Sequence, residues 1–140
     1  MDGHSDNSDV ELRLALQRLV RDIRRNREAG LSDSQLAVLF HLAKRGDLFP
    51  SELAELESIA PPSINRTLNG LESAGLVERR PADDDGRRVR VRLTDAGRAV
   101  IEQTRRLRDA WFSRRLEELS PAERASLDAI VPLLRRLAEQ

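Results

Sequence analysis

The stretch from Ala60 to Arg80 constrains the fold more than any other: Ala-Pro-Pro-Ser-Ile-Asn-Arg-Thr-Leu-Asn-Gly-Leu-Glu-Ser-Ala-Gly-Leu-Val-Glu-Arg-Arg. Pro61 and Pro62 suit the first turn of a helix, where N–H groups have no intrahelical acceptor. Ile64, Leu68 and Leu71 recur at i, i+4, i+7 and so share one helical face. The opposite face carries Pro62, Arg66, Asn69 and Ser73, flanked by Ser63 and Asn65. Gly75 stops the helix, and Leu76-Val77 opens a short strand that ends in Arg79-Arg80. Such a helix buries one edge and offers Ser, Asn and Arg on the other. Those side chains can hydrogen-bond base edges and phosphates in a major groove. An ordinary surface helix has a polar face of the same kind, so the flanking segments decide between the two.

Upstream, Pro50-Ser51-Glu52-Leu53-Ala54-Glu55-Leu56 reads as a short helix of two turns, and Ser58-Ile59-Ala60 as a tight connection. Two short helices joined by such a turn, the second exposing Ser, Asn and Arg, form a helix-turn-helix. Before them, Ser32 and Gln35 form a capping box, and Leu31 and Leu36 can close a hydrophobic staple. The apolar run Leu36 to Ala43 is then a helix buried on most sides, ended by Lys44-Arg45-Gly46. His41 within it is expected to be a core or boundary histidine rather than a ligand.

Downstream, Pro81-Ala82-Asp83-Asp84-Asp85-Gly86 is turn-rich. From Arg87 to Leu93 basic and apolar residues alternate, placing Arg88, Arg90 and Arg92 on one strand face and Val89, Val91 and Leu93 on the other. The two strands make a hairpin with Gly86, Arg87 and Arg88 at its tip. Charge that merely keeps an edge strand soluble accounts for part of this pattern. A basic hairpin directly after a candidate recognition helix points instead to phosphate.

The ends are helical. Residues 1–8 are polar and are expected to be disordered. From Asp9 to about Glu28 a stripe of Leu12, Leu16, Leu19, Val20 and Ile23 marks a helix, ended by Gly30. Thr94 caps another that runs to about Leu119. Ser120-Pro121-Ala122-Glu123 caps the last, in which Pro132 should introduce a kink. These helices carry more apolar surface than a small central domain can cover, and a partner chain is the usual cover. The chain is therefore expected to divide into a tail (1–8), an N-terminal helix (9–30), a central helix-turn-helix and hairpin domain (31–94) and C-terminal helices (95–140).

Composition narrows the function. Formal net charge is zero, so any polyanion site must arise from local clustering. Lys44 is the only lysine among 24 basic residues. The chain has no cysteine, which removes disulfides, thiol sensing and cysteine–zinc sites, and two histidines are too few for a histidine metal site. No nucleophile–base pair, metal cluster or phosphate-binding glycine loop is present, so neither an enzyme nor a cofactor is expected. No apolar run approaches the ~18 residues of a membrane span, and the acidic start is no signal peptide. A cytoplasmic protein is expected.

These features resemble the MarR family of bacterial transcriptional regulators. The resemblance rests on Ser51-Glu52-Leu53-Ala54, on Pro62-Ser63-Ile64-Asn65-Arg66, on Leu71-Glu72-Ser73-Ala74-Gly75-Leu76-Val77-Glu78-Arg79, and on Asp85-Gly86-Arg87 ahead of Val91-Arg92-Leu93-Thr94-Asp95-Ala96-Gly97. It implies a mainly α fold with a small β-hairpin wing, a winged helix-turn-helix dimerised through its terminal helices. It implies that Ser63, Asn65 and Arg66 face the major groove of double-stranded DNA, and Pro62 and Asn69, on the same outer face, are expected to join them. The wing, with Arg87 and Arg88 and with Asp85 orienting its tip, would enter the adjacent minor groove. It further implies a homodimer on an inverted-repeat operator, most often as a repressor, and a small aromatic or phenolic effector. Three positions depart from the pattern: Ala60 replaces a capping Ser or Thr, Ser58 a turn glycine, and Gly70 a basic residue that would contact phosphate. A winged-helix module that binds protein instead of DNA is the alternative, though it would tend to carry apolar residues on its wing.

Overall fold

The computed structural model describes residues 3–28, 30–82 and 85–139, with the side chains of residues 3–5, 85 and 86 outside the description. Its order is α1 (Gly3–Arg24), α2 (Asp33–Arg45), α3 (Pro50–Glu57), α4 (Pro61–Ser73), β1 (Val77–Ala82), β2 (Asp85–Leu93), α5 (Asp95–Glu117) and α6 (Pro121–Ala138). The two strands pair antiparallel. Leu48, just before α3, adds a single bridge to Val91, with N–H···O distances of 3.1 and 2.7 Å. This is a winged helix-turn-helix with helical arms at both ends.

The core forms where the apolar periodicities meet. Leu36, Val38, Leu39 and Leu42 of α2, Leu53 of α3, and Ile64, Leu68 and Leu71 of α4 are all buried. Val77, Val91 and Leu93 cover them from the hairpin, and Ile101 from α5. Each such side chain contributes ~1.5–3 kcal/mol on burial. Together they fix α4 against α2 and α3, which leaves the opposite face of α4 open.

Local signals set the helix ends. The Ser32 hydroxyl accepts the Gln35 N–H at 3.1 Å, and Gln35 Oε1 accepts the Ser32 N–H at 2.9 Å. The same reciprocal pair caps α6 between Ser120 and Glu123. There the hydrogen bonds from the Ser120 N–H and hydroxyl hold the Glu123 carboxyl below its ordinary range. Gly75, at φ +76°, closes α4. Leu76 N–H reaches Leu71 C=O and Gly75 N–H reaches Glu72 C=O, both at 3.0 Å, a Schellman motif.

The structure corrects several boundaries. α1 begins at Gly3, so residues 3–8 of the expected tail are helical, with Asp6 in the first turn complementing the helix dipole. It also ends earlier, at Arg24. Asn26 Nδ2 caps the Asp22 carbonyl at 2.9 Å, and Arg108 Nε of α5 takes the Asn26 carbonyl at 3.2 Å. β1 continues past Arg80 through Pro81 and Ala82. Pro81 is tolerated because the hairpin leaves β1 an edge strand. The expected Asp83-Asp84 turn lies outside the described residues. α6 runs on through Pro132, whose missing N–H removes the bond that Asp128 C=O would accept. His41 is a boundary residue, with Nε2 2.5 Å from Glu57 Oε1.

Thr104 of α5 is fully buried, and its hydroxyl has no partner among the described residues. An unsatisfied buried hydroxyl costs ~1–3 kcal/mol. Thr104→Val keeps the shape and removes that group. It should raise stability by about 1 kcal/mol, read as a higher urea midpoint at fixed protein concentration. An unchanged midpoint would mean that the hydroxyl is satisfied by water.

Candidate nucleic-acid interface

The turn Ser58-Ile59-Ala60 sets the angle between α3 and α4. Ser58 adopts the left-handed conformation, φ 53°, which glycine adopts without strain. Ala60 is the N-cap of α4 and supplies no side-chain acceptor. The two prolines make one unnecessary. Pro61 and Pro62 have no N–H, and the Ser63 N–H is taken by Ala60 C=O at 3.0 Å. The first turn therefore has few backbone donors for phosphate, and side chains must supply them.

Pro62, Ser63, Asn65, Arg66 and Asn69 are all exposed on the outer face of α4. Arg87 and Arg88 are exposed near the start of β2. The Asp85 side chain, expected to orient the wing tip, lies outside the described residues. The structure brings the two groups together across one cleft of about 290 Å³, lined by Phe49, Ser51, Asn65, Arg79, Arg87 and Arg88. The N-terminus of α3, the outer face of α4 and the wing thus share one concave, cationic surface.

Three residues that hold this surface were not legible as site residues. The Phe49 ring stacks under Arg88 at 3.7 Å and Arg90 at 5.0 Å, which ties the wing to the start of α3. Glu52 Oε1 fixes Phe49 through its N–H at 2.9 Å. Arg79, beneath the wing, donates from Nη1 to Asn69 Oδ1 at 3.0 Å and lies 3.5 Å from Glu72 Oε1. The wing arginines also differ in role. Arg92 lies 3.9 Å from Asp47 and 3.8 Å from Glu78, so its charge is already offset.

A Cβ on Gly70 would lie 2.9 Å from Gln35 Nε2, so a side chain there would share its space with the Gln35 amide. A larger side chain would displace the Gln35 amide that closes the α2 capping box.

A second cleft of about 350 Å³ lies between α2, α3 and α5, lined by Arg24, Leu36, Phe40, His41, Glu57 and Arg108. The Arg108 guanidinium sits 5.2 Å from the centre of the Phe40 ring. Burial first, then the charges of Arg24 and Arg27, push it below its ordinary pKa.

The profile described as MarR family matches residues 29–88, the span from the start of the core helices into the wing. An uncharacterised HTH-type transcriptional regulator of Mycobacterium bovis is 37% identical over 131 residues, covering 93% of this chain and 92% of that one. The chain belongs to the MarR family of transcriptional regulators. The HTH-type transcriptional repressor MdtR of Bacillus subtilis is 30% identical, over 96% of this chain and 90% of its own. A crystal structure of a proposed transcriptional regulator from Pseudomonas aeruginosa PA01 superposes with TM-score 0.85 at 34% identity, over 99% of both chains. This MarR-family chain is thus a DNA-binding transcriptional regulator. Among its described residues no helix is long and apolar enough to cross a membrane.

Proposed function

We propose that this regulator is a cytoplasmic repressor that binds an inverted-repeat operator as a homodimer. In each copy α4 lies in the major groove, reading bases through Ser63, Asn65, Arg66 and Asn69, with Pro62 against the groove wall. The wing, with Arg87 and Arg88, follows into the adjacent minor groove. The observation that carries this reading is the shared cleft, which joins an exposed Ser/Asn/Arg helix face to the wing arginines. The name of MdtR supports repression rather than activation.

Exposed apolar surface supports dimerisation through residues 9–30 and 95–140. α6 has no buried residue, and Leu127, Val131, Leu133 and Leu137 stand open on it. Leu12, Leu19 and Val20 of α1 and Leu107 of α5 are exposed as well. Moving each half-exposed side chain into an interface contributes ~1 kcal/mol. The cleft around Phe40 suits a small aromatic effector, with Arg24 and Arg108 to meet a phenolate or carboxylate. Its position against α2 and α3 lets such a ligand change the setting of the recognition helix.

Light scattering should give about twice the 15.8 kDa chain mass. Selection from random duplexes should return a palindrome with half-sites roughly 10 bp apart, centre to centre. A monomer at micromolar concentration, or a single asymmetric site, would overturn the two-fold arrangement. Selection of no sequence would favour the protein-binding module.

A further inference from the structure

Two asparagines lie one turn apart on the outer face of α4, Asn65 and Asn69, and their surroundings differ. Among the described residues Asn65 has no hydrogen-bond partner. Asn69 is held: Arg79 Nη1 donates to its Oδ1 at 3.0 Å. A guanidinium only donates, so the atom that faces it must be the amide oxygen, and the NH2 group points away. Turning the amide over would set donor against donor. Arg79 is itself fixed. It stands on β1 on the same face as Val77, opposite Val91, with only 23% of its side chain exposed, and Glu72 Oε1 lies 3.5 Å from the same nitrogen. A charge-assisted bond from a partly buried arginine is among the stronger side-chain contacts.

We infer that Arg79 sets the base preference of the recognition helix by turning Asn69 into a donor-only reader, selective for guanine. This rests on the placement of α4 in a major groove given above. An asparagine with both amide atoms free pairs with adenine, accepting from N6 and donating to N7. Asn65 retains that option. Asn69 does not, because the bond from Arg79 holds its oxygen turned toward β1, and its second lone pair with it. Its outward NH2 carries two hydrogens, which match the two acceptors of guanine, N7 and O6. Adenine sets its N6 donor against one of those hydrogens, cytosine offers a donor, and thymine offers one acceptor, O4, in place of two. Arg79 is a positioning residue here: it acts on the base through Asn69.

The test is a base-preference profile, measured by selection from random duplexes and then by titration on single-base variants of the selected half-site. Wild type should prefer guanine over adenine by roughly tenfold or more at one position per half-site. Asn69→Ala should erase that preference and leave the other positions ranked as before. Arg79→Met frees the amide oxygen, so the same position should move toward adenine. The loss of a cationic side chain should also lower affinity for all sequences, so the readout is the ranking of bases. Asn69→Asp presents an oxygen in place of the NH2 group and should move that position toward cytosine. Cooperative unfolding and dimer mass confirm that each variant is folded, and Asn69→Asp serves if Arg79→Met is not. A uniform drop in affinity with unchanged ranking in Arg79→Met, or in Asn69→Asp where that variant is needed, would overturn the inference. So would a preference that survives Asn69→Ala. Wild-type protein that selects no motif would instead overturn the DNA-reading arrangement itself.

Discussion

Gly97→Ala is expected to destabilise the protein by about 2 kcal/mol, although alanine is the better helix former. A Cβ on Gly97 would lie 2.2 Å from the Leu76 carbonyl oxygen and 3.0 Å from Leu93 Cδ2. The first of these is a backbone atom and cannot swing aside. Leu76 C=O also accepts the Thr94 N–H at 3.1 Å. Thr94 in turn donates from its hydroxyl to Gly75 C=O at 2.6 Å and accepts the Gly97 N–H at 3.1 Å. The methyl can be housed only if the first turn of α5 withdraws from the end of α4, and that strains these three bonds. Overpacking of this kind costs ~1–3 kcal/mol or more, against a helix-propensity gain of at most ~1 kcal/mol. Urea midpoints of the two proteins at equal concentration measure the difference, since the stability of the proposed dimer depends on concentration. A wild-type midpoint would mean that the junction is loose. The junction joins the lobe that carries α4 and the wing to α5, so in the proposed dimer a shift there also changes the spacing of the two α4 helices. Operator affinity should fall further than stability alone accounts for.

Helix α4 was legible because every signal in it is local. Two prolines, an i, i+4, i+7 stripe and a closing glycine predict α4, and the stripe residues Ile64, Leu68 and Leu71 are the ones buried. The alternation from Arg87 to Leu93 likewise predicts which side of β2 packs inward, and Val91 and Leu93 are buried. What the sequence hid depends on contacts between distant residues. Phe49 stands next to the start of a short helix, and nothing nearby in sequence shows that Arg88 and Arg90 cover its ring. Arg79 left a faint signal. Period-2 alternation from Val77 places it on the inward face of β1, and an arginine there must find a partner. The early end of α1 has the same origin, because the Asn26 carbonyl is taken by Arg108 from a helix much later in the chain. Gly70 has a neighbour of the same kind: a helical wheel places it near the outer face, and the Gln35 amide reaches within 2.9 Å of where its Cβ would stand.

Asn65→Ala and Arg87→Ala should weaken operator binding in two different ways. Asn65 faces outward on α4 and borders the cleft to the wing, with its amide free. A bidentate base contact contributes ~1–3 kcal/mol of discrimination. The loss occurs in both copies, so Asn65→Ala should cost ~2–6 kcal/mol on the operator dimer if the half-sites act independently. On scrambled DNA it should change little, because phosphates do not distinguish sequence. Arg87 is exposed near the start of β2, beside the same cleft. A guanidinium there meets the negative potential of the minor groove and its phosphates. Arg87→Ala should therefore weaken binding to operator and scrambled duplexes alike, and reduce the slope of log affinity against log salt by about one unit per lost phosphate contact. Titrations at several salt concentrations on both duplexes separate the two cases. If both variants bind like wild type, the helix and wing are not the DNA surface. If both lose affinity equally on the two duplexes, α4 supplies charge alone and the reading of bases lies elsewhere.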